Sequence, residues 1–416
     1  MNNKISYFPQ KSGFPGLKKR SERVRISMRG KMNNKTKLNS IVLFLSTLMM
    51  LVSCQQQKAE WKGTIEEVEG VKVIKNPKEP LSNNARREIH LKEMMRIRDD
   101  GKEIIFKWPE NLVMDNRENI YFLSHPHLYK YDKNGNFVFK IIGTGHGPGE
   151  ADPGLRRSFA IINDEIVIRA ISPLKVMKFN LDGVLEEEIK LIEPFRLFRF
   201  IGSFREKIYT VQTEVSWELK GKSGYIDFPG NIYEFSSTFQ EHEKIFTFPV
   251  NYYFDRNAWF GQAFLEFAIK DFQNLFVVHT SEYKIVRFNL KSRRIKEVIT
   301  RKFGRVKRPK RKKQPGFRYP PDREYYQDVQ KLLIFGDNLW AFTSEKNVEG
   351  DWLIDVYDME GKYIDSFFLC FPNDIEPKRY GNIQIIARKN FLFSVDQDKE
   401  GYYSIAKYRV PGRFDN

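Results

Sequence analysis

Asn119–Ile141 reads NIYFLSHPHLYKYDKNGNFVFKI. Its first five residues form a short apolar strand in which an aliphatic residue precedes aromatics. The second half alternates around a central aromatic, Tyr131, and turns at Asn134-Gly135. An Asn-Gly pair between alternating apolar segments tolerates the positive φ of a type I′ turn, so the flanking strands are expected to be antiparallel neighbours. Five more copies follow. The first strand recurs as EIVI (Glu165–Ile168), KIYTV (Lys207–Val211), NLFVV (Asn274–Val278), NLWAF (Asn338–Phe342) and NFLFSV (Asn390–Val395). The second recurs from Val176, Ile232, Ile285, Ile354 and Ile405, with Asp182-Gly183 and Glu360-Gly361 at turns. Alignment places Tyr131, Phe179, Phe235, Phe288, Tyr357 and Tyr408 at one equivalent position, spaced by roughly 50–70 residues, the scale of a propeller blade.

No 3.6-residue period competes with this pattern, so the expected fold is all-β: a six-bladed β-propeller of four-stranded antiparallel blades. Little chain remains after Tyr408 to supply the last blade's outer strand, and an unpaired edge invites aggregation. We therefore expect an N-terminal strand to close the last blade. Val68–Lys75 (VEGVKVIK), β-branched and stopped by Asn76-Pro77, is the segment expected to do so.

The chain divides into residues 1–54, an N-terminal extension with a signal peptide; 55–67, a linker; and 68–416, the propeller. Lys35 and Lys37 precede the apolar run Ile41–Val52, too short to span a bilayer but suited to a signal-peptide core. The run ends in Leu51-Val52-Ser53-Cys54, which resembles the bacterial lipobox. On that resemblance Cys54 becomes the lipidated first residue, and the protein contacts the membrane through a lipid anchor. Gln55-Gln56-Gln57-Lys58 lacks an aspartate at the second position, which is similar to outer-membrane sorting. A periplasm-facing outer-membrane lipoprotein is expected, with the cell surface as the alternative.

Once Cys54 is assigned to lipid, only Cys370 remains, so an intramolecular disulfide is not available. Cys370 lies in the apolar run SFFLCF and reads as a buried, inert thiol. The formal net charge is +17, of which +10 belongs to residues 1–54, with eleven Lys or Arg and one acid. A further nine basic residues fall in Arg301–Lys313, RKFGRVKRPKRKK, with no acidic one. The basicity thus reads as one loop rather than a groove, and export argues against nucleic acid. We read this loop as a solvated insertion, with acidic glycan or anionic lipid headgroups as the other readings.

Taken together, the lipobox at Cys54, the segment VKVIKNPKEPL (Val71–Leu81), the exit loop GTGHGPGE (Gly143–Glu150) and the six repeats resemble the six-bladed, NHL-like β-propeller lipoproteins of Bacteroidetes. The likeness runs from Val68 to the end of the chain. It implies an envelope propeller, and some NHL-like propellers are lyases or lactonases that use metal in the central channel. The glycine-rich loop itself lacks the Lys-Ser/Thr of a P-loop and no helical pattern follows it, so an inter-blade turn is the better account.

Candidate ligand-binding residues are His125, His127, His146, Glu150, Arg156, Trp217, Trp259 and His279. His125 and His127 are two apart and could meet His279 or Glu150, but no recognised ligand spacing completes a metal set. Trp217 and Trp259 belong to long insertions of the third and fourth copies, where aromatics could stack on a ligand or pack between blades. We find no GxSxG elbow, no HExxH and no partner for Cys370. The expected function is a non-catalytic binding or scaffolding module for a glycan, peptide or envelope protein, without a cofactor or metal. The alternative is a metal-dependent hydrolase or lyase with its site in the central channel.

Overall fold

The computed structural model describes residues 60–99, 106–107, 109–152, 158–191, 198–204, 206–213, 224–255, 258–263, 265–310, 324–372, 376–377, 379–380 and 382–411. Six antiparallel sheets stand in a ring. Blade 1 runs from its innermost strand outward as Glu110–Met114, Ile120–Ser124, His127–Tyr131 and Phe137–Ile141. Blade 2 is Ser158–Ile162, Glu165–Ile171, Leu174–Asn180 and Leu185–Lys190; blade 3 is Phe198–Phe204, Lys207–Thr213, Gly224–Ser236 and His242–Asp255, with Ala258–Ala263 outermost. Blade 4 comprises Glu266–Asp271, Asn274–Val278, Lys284–Asn289 and Arg294–Arg301, and blade 5 comprises Val329–Phe335, Asn338–Lys346, Trp352–Tyr357 and Tyr363–Cys370. Blade 6 has Ile385–Arg388, Phe391–Gln397 and Tyr403–Arg409 from the end of the chain. Each innermost strand touches the innermost strands of the two neighbouring blades, and Ile385–Arg388 touches Glu110–Met114, which closes the ring.

The burial pattern explains why the second strands read as unbroken apolar runs. Successive side chains on a strand point to opposite faces, and a middle strand of a blade has another blade against each face. In blade 1, Ile120 and Phe122 pack with Phe393, Val395 and Ile405 of blade 6, whereas Tyr121 and Leu123 pack with Ile166, Ile168 and Met177 of blade 2. The other four interfaces are built the same way, so the core is a set of six inter-blade layers. Outer strands meet water: Glu186, Glu187 and Glu188 in Leu185–Lys190 are exposed.

The six aromatics aligned from sequence are structurally equivalent. Tyr131, Phe179, Phe235, Phe288, Tyr357 and Tyr408 pair with Ile120, Ile166, Ile208, Leu275, Leu339 and Leu392, respectively. All six are buried. In every blade but the third, a β-bulge on the outer side falls at this aromatic. The turns differ from expectation. Gly135 N–H donates to Asp132 O at 3.0 Å and Asp132 N–H to Asn136 O at 2.9 Å, and only Gly135 has positive φ, at 86°. This is a three-residue type I turn followed by a left-handed residue, not a two-residue type I′ turn. The Asp132 carboxylate favours it by accepting from the Asn134 and Asn136 amides. Asn180 and Gly183 repeat the arrangement.

The segment before blade 1 wraps the outer rim of three blades in turn. Thr64–Val68 and Val71–Asn76 form a hairpin, and Val71–Asn76 adds a parallel strand to the outer edge of blade 4. Regular structure therefore already begins within the stretch read as linker. Arg87–His90 pairs in parallel with Tyr363–Cys370 on blade 5. Lys92–Arg98 then pairs antiparallel with Tyr403–Arg409 and supplies the fourth strand of blade 6. Val68–Lys75, expected in that place, thus pairs two blades too early. The strand that reaches blade 6 must be the last one before the short connection into blade 1, because consecutive elements are joined by short links. Asn76 fixes the start of the strap: its amide donates to Gly361 O at 2.9 Å, and its Oδ1 accepts from Tyr363 N–H at 2.8 Å and Trp61 Nε1 at 3.0 Å.

Candidate functional site

Antiparallel blades put the connections between second and third strands, and those between successive blades, at the same end of the ring. Main-chain hydrogen bonds join these connections: Asp152 N–H to Ser172 O at 2.8 Å, Asn251 N–H to His279 O at 2.9 Å, and Asp328 N–H to Ser281 O at 2.9 Å. Innermost strands begin at this end, so their first residues line the mouth of the central channel.

Charge gathers there in an arc over blades 2 to 5. Arg169 is buried beside Ser158, with its guanidinium 5.4 Å from the centre of the Phe198 ring. Arg199, which follows Phe198, donates to Leu265 O at 2.8 Å and lies over Phe267 at 5.1 Å. The neighbouring Glu266 carboxylate accepts from Lys331 Nζ at 3.2 Å. Glu266 is buried, and its Oε1 makes no hydrogen bond among the described residues. Burial lowers the Arg169 pKa to about 10 and pulls that of Arg199 down as well. Arg199 and Lys331 thus flank the Glu266 carboxylate, with Arg169 one blade further round the arc. The sequence signal for the arc was a charge inside an apolar strand: Arg169 interrupts EIVIRAI (Glu165–Ile171), and a charge on a strand buried on both faces is costly unless it is partnered or used.

The described residues among those singled out from sequence do not converge on one site. His125 is exposed at the tip of blade 1. His127 is partly buried, with Nδ1 2.8 Å from Ile142 O. His279 sits in blade 4, across the ring from blade 1, with Nδ1 2.6 Å from Pro249 O and its ring 5.5 Å from that of Phe248. His146 is exposed on the glycine-rich loop. Glu150 folds back into that loop and accepts from Gly147 N–H at 2.9 Å, so close that a Cβ at Gly145 would lie 2.2 Å from Glu150 Oε2. The chain's own carboxylate therefore occupies the position an anion would take in a phosphate cradle, and Lys175 and Glu188 brace the loop from outside. Arg156 and Trp217 lie outside the described residues. Trp259 belongs to Ala258–Ala263, at the outer edge of blade 3.

The basic run is not a single solvated loop. Arg301 is the last residue of a strand, and its side chain is buried against Asp355. Residues after it form a ladder with the returning chain: Arg308 N–H donates to Glu324 O at 2.8 Å, and Tyr326 N–H to Val306 O at 3.0 Å. Arg305 pairs with Asp328 at 3.2 Å and stacks over Tyr325. Aromatic and acidic partners on the return strand therefore engage part of this charge. The end of the run, 311–313, lies outside the described residues.

Desolvation holds the pKa of His279 below the ordinary 6.5, with the Pro249 hydrogen bond opposing it. The unfolded chain then takes up a proton below 6.5 that the folded protein refuses. The stability contributed by neutral His279 is complete above 6.5 and is lost as pH falls toward the folded-state pKa. Chemical unfolding on either side of 6.5 should show this loss, and His279→Gln should flatten it; equal slopes in the two proteins would refute the assignment.

No family model matches the chain, and no curated protein matches it in sequence. Its fold is similar to that of a DUF4221 family member from Bacteroides vulgatus, at a TM-score of 0.50 and 10% identity, covering 79% of this chain and 99% of that one. A Bacteroides fragilis protein gives a TM-score of 0.48 at 14% identity, covering 82% and 100%. A gluconolactonase from Xanthomonas campestris gives 0.42 at 12%, covering 74% and 87%. At these identities the likeness concerns the fold alone.

Proposed function

We propose that the protein is a non-catalytic binding module of the cell envelope that takes an acidic glycan at the loop-bearing mouth of the channel. The arc of cations Arg169, Arg199 and Lys331, the last two beside Glu266, carries this reading. Arginine and lysine suit the carboxylate or sulfate of such a sugar. Glu266 Oε1 is buried with no hydrogen-bond partner among the described residues, an acceptor left for a sugar hydroxyl that displaces the side chains covering it. The first two strands of the blades hold these groups, so little ordering entropy is lost when a ligand docks. The basic ladder after Arg301 opens at the same end and adds long-range attraction for an anion. A peptide or envelope protein would use the same end through its acidic side chains.

The lipobox-like Leu51–Cys54 supports anchoring through Cys54, in a lipoprotein of the six-bladed NHL-like class that sits in the outer membrane facing the periplasm. Cys54 lies outside the described residues. A panel of uronate-containing, sulfated and neutral oligosaccharides, read by thermal shift, tests the ligand class. Stabilisation by acidic members alone, weakened by salt, is the expected result. Stabilisation by neutral sugars alone, or by acidic peptides in their place, would overturn the glycan reading.

A further inference from the structure

The rim strap brings together a second set of functional groups, far from the channel mouth in the order of strands. Glu88 and His90 are two apart on the strand Arg87–His90 and so share a face. His90 is the register partner of Cys370, and Glu88 that of Phe368. One ligand atom each from Glu88, His90 and Cys370 lies within 4.8 Å of the other two, and His90 Nε2 is 3.3 Å from Glu88 Oε2. The Cys370 thiol meanwhile donates to Phe368 O at 3.7 Å, within its own strand. Among the described residues this is the one group of three metal-ligating side chains so arranged.

We propose that Glu88, His90 and Cys370 bind a divalent transition metal of the zinc class, with water as the fourth ligand, and staple the N-terminal strap to blade 5. The donor set is a thiolate sulfur, an imidazole nitrogen and a carboxylate oxygen, the mixture that suits zinc and excludes calcium or magnesium. Tetrahedral zinc with bonds of about 2.0–2.3 Å places its donors roughly 3.3–3.8 Å apart. The 3.3 Å His90–Glu88 separation already approaches that spacing, and side-chain rotation brings in the sulfur. Access is open from one side: the side chains of His90 and Glu88 are 74% and 48% exposed, while Cys370 is buried beneath them against Leu353 and Phe368. As the metal–sulfur bond forms, the thiol proton leaves to solvent, so the sulfur enters as thiolate.

The location gives the site a purpose. The strap is held on blade 5 by the parallel ladder Arg87–His90, by the bidentate Arg87–Asp365 pair at 2.9 and 2.8 Å, and by main-chain bonds from Leu81, Ser82, Arg86 and Leu91. A metal joining this strand to Cys370 of blade 5 would fix the strap just before it continues into blade 6.

Cobalt titration of the full-length protein in a Cys54→Ser background, where Cys370 is the sole thiol, tests the proposal. Saturation at one equivalent with a thiolate-to-cobalt charge-transfer band is expected, with zinc displacing the cobalt. Cys370→Ser should abolish the band. His90→Gln, an exposed change that leaves the fold intact, should weaken binding at least tenfold. A folded parent protein, checked by circular dichroism, that shows no such band would overturn the proposal, as would a band that survives in Cys370→Ser or an unchanged affinity in His90→Gln.

Discussion

Removal of residues through Arg98 is expected to abolish the folded ring rather than trim one strand from it. Among the described residues Lys92–Arg98 is the only partner of the outer edge of Tyr403–Arg409, so its loss exposes a row of unpaired main-chain groups in an otherwise apolar blade. Ile97, buried between blades 6 and 1 with Phe106, Phe122 and Val395, goes with it. So does Arg96, which reaches Asp396 Oδ2 at 3.0 Å, Ser404 Oγ at 2.6 Å and Tyr408 Oη at 2.7 Å. Asp396 is buried, and a buried carboxylate stripped of its cation costs roughly 3–5 kcal/mol, a large share of the 5–15 kcal/mol that stabilises a typical domain. Size-exclusion chromatography should find this truncation aggregated. Truncation through Asn76 removes strands that blade 4 does not need to complete its own four, and should give a soluble protein with a lowered melting temperature. Equal behaviour of the two would show that the strap, not blade closure, governs folding.

Asp355→Ala should be the most destabilising single substitution among the buried polar residues. Asp355 lies between blades 4 and 5 and is fully buried. It accepts from Tyr283 Oη at 2.5 Å and Tyr363 Oη at 2.8 Å, and faces Arg301 Nε at 2.7 Å. Tyr357 Oη in turn donates to Tyr283 Oη at 2.7 Å, and the Arg301 guanidinium lies 5.1 Å from the Tyr283 ring centre and 4.9 Å from that of Tyr363. Alanine leaves a buried guanidinium and two hydroxyls without their acceptor, at a cost of about 3–5 kcal/mol. Asp355→Asn keeps an acceptor and should lose less. Urea unfolding of both variants checks the order, and a cost for Asp355→Ala below about 1 kcal/mol, the level of an exposed pair, would contradict it.

The blades were legible because their information is local. Ile120 facing Tyr131, and the five equivalent pairs, follow from period-two alternation within some fifteen residues of chain. Which N-terminal segment closes blade 6 was not legible. Val71–Asn76 has the better β-propensity, whereas Lys92–Arg98 (KEMMRIR) buries only Ile97 fully and otherwise looks like solvent-facing sequence. Propensity says that a strand forms, and chain geometry decides which edge receives it. The channel arc was hidden for a related reason. Arg169, Arg199, Glu266 and Lys331 come from four blades and are adjacent only after the ring closes, whereas the histidines drew notice by being few. Glu150 illustrates the converse: its place in the glycine-rich loop was visible, but not that its carboxylate turns inward to satisfy that loop.

Ligand affinity in two charge-neutralising variants tests the binding account most directly. For the acidic oligosaccharide that stabilises the protein most, Lys331→Gln should weaken binding at least tenfold, since a charged hydrogen bond contributes about 1.5–3 kcal/mol. Lys310→Gln, in the exposed basic segment beyond the channel, should change it by less than about twofold, as expected of a rim charge that acts mainly on association rate. A protein that binds normally without the Lys331 charge but loses its ligand without that of Lys310 would move the site from the channel mouth to the basic segment.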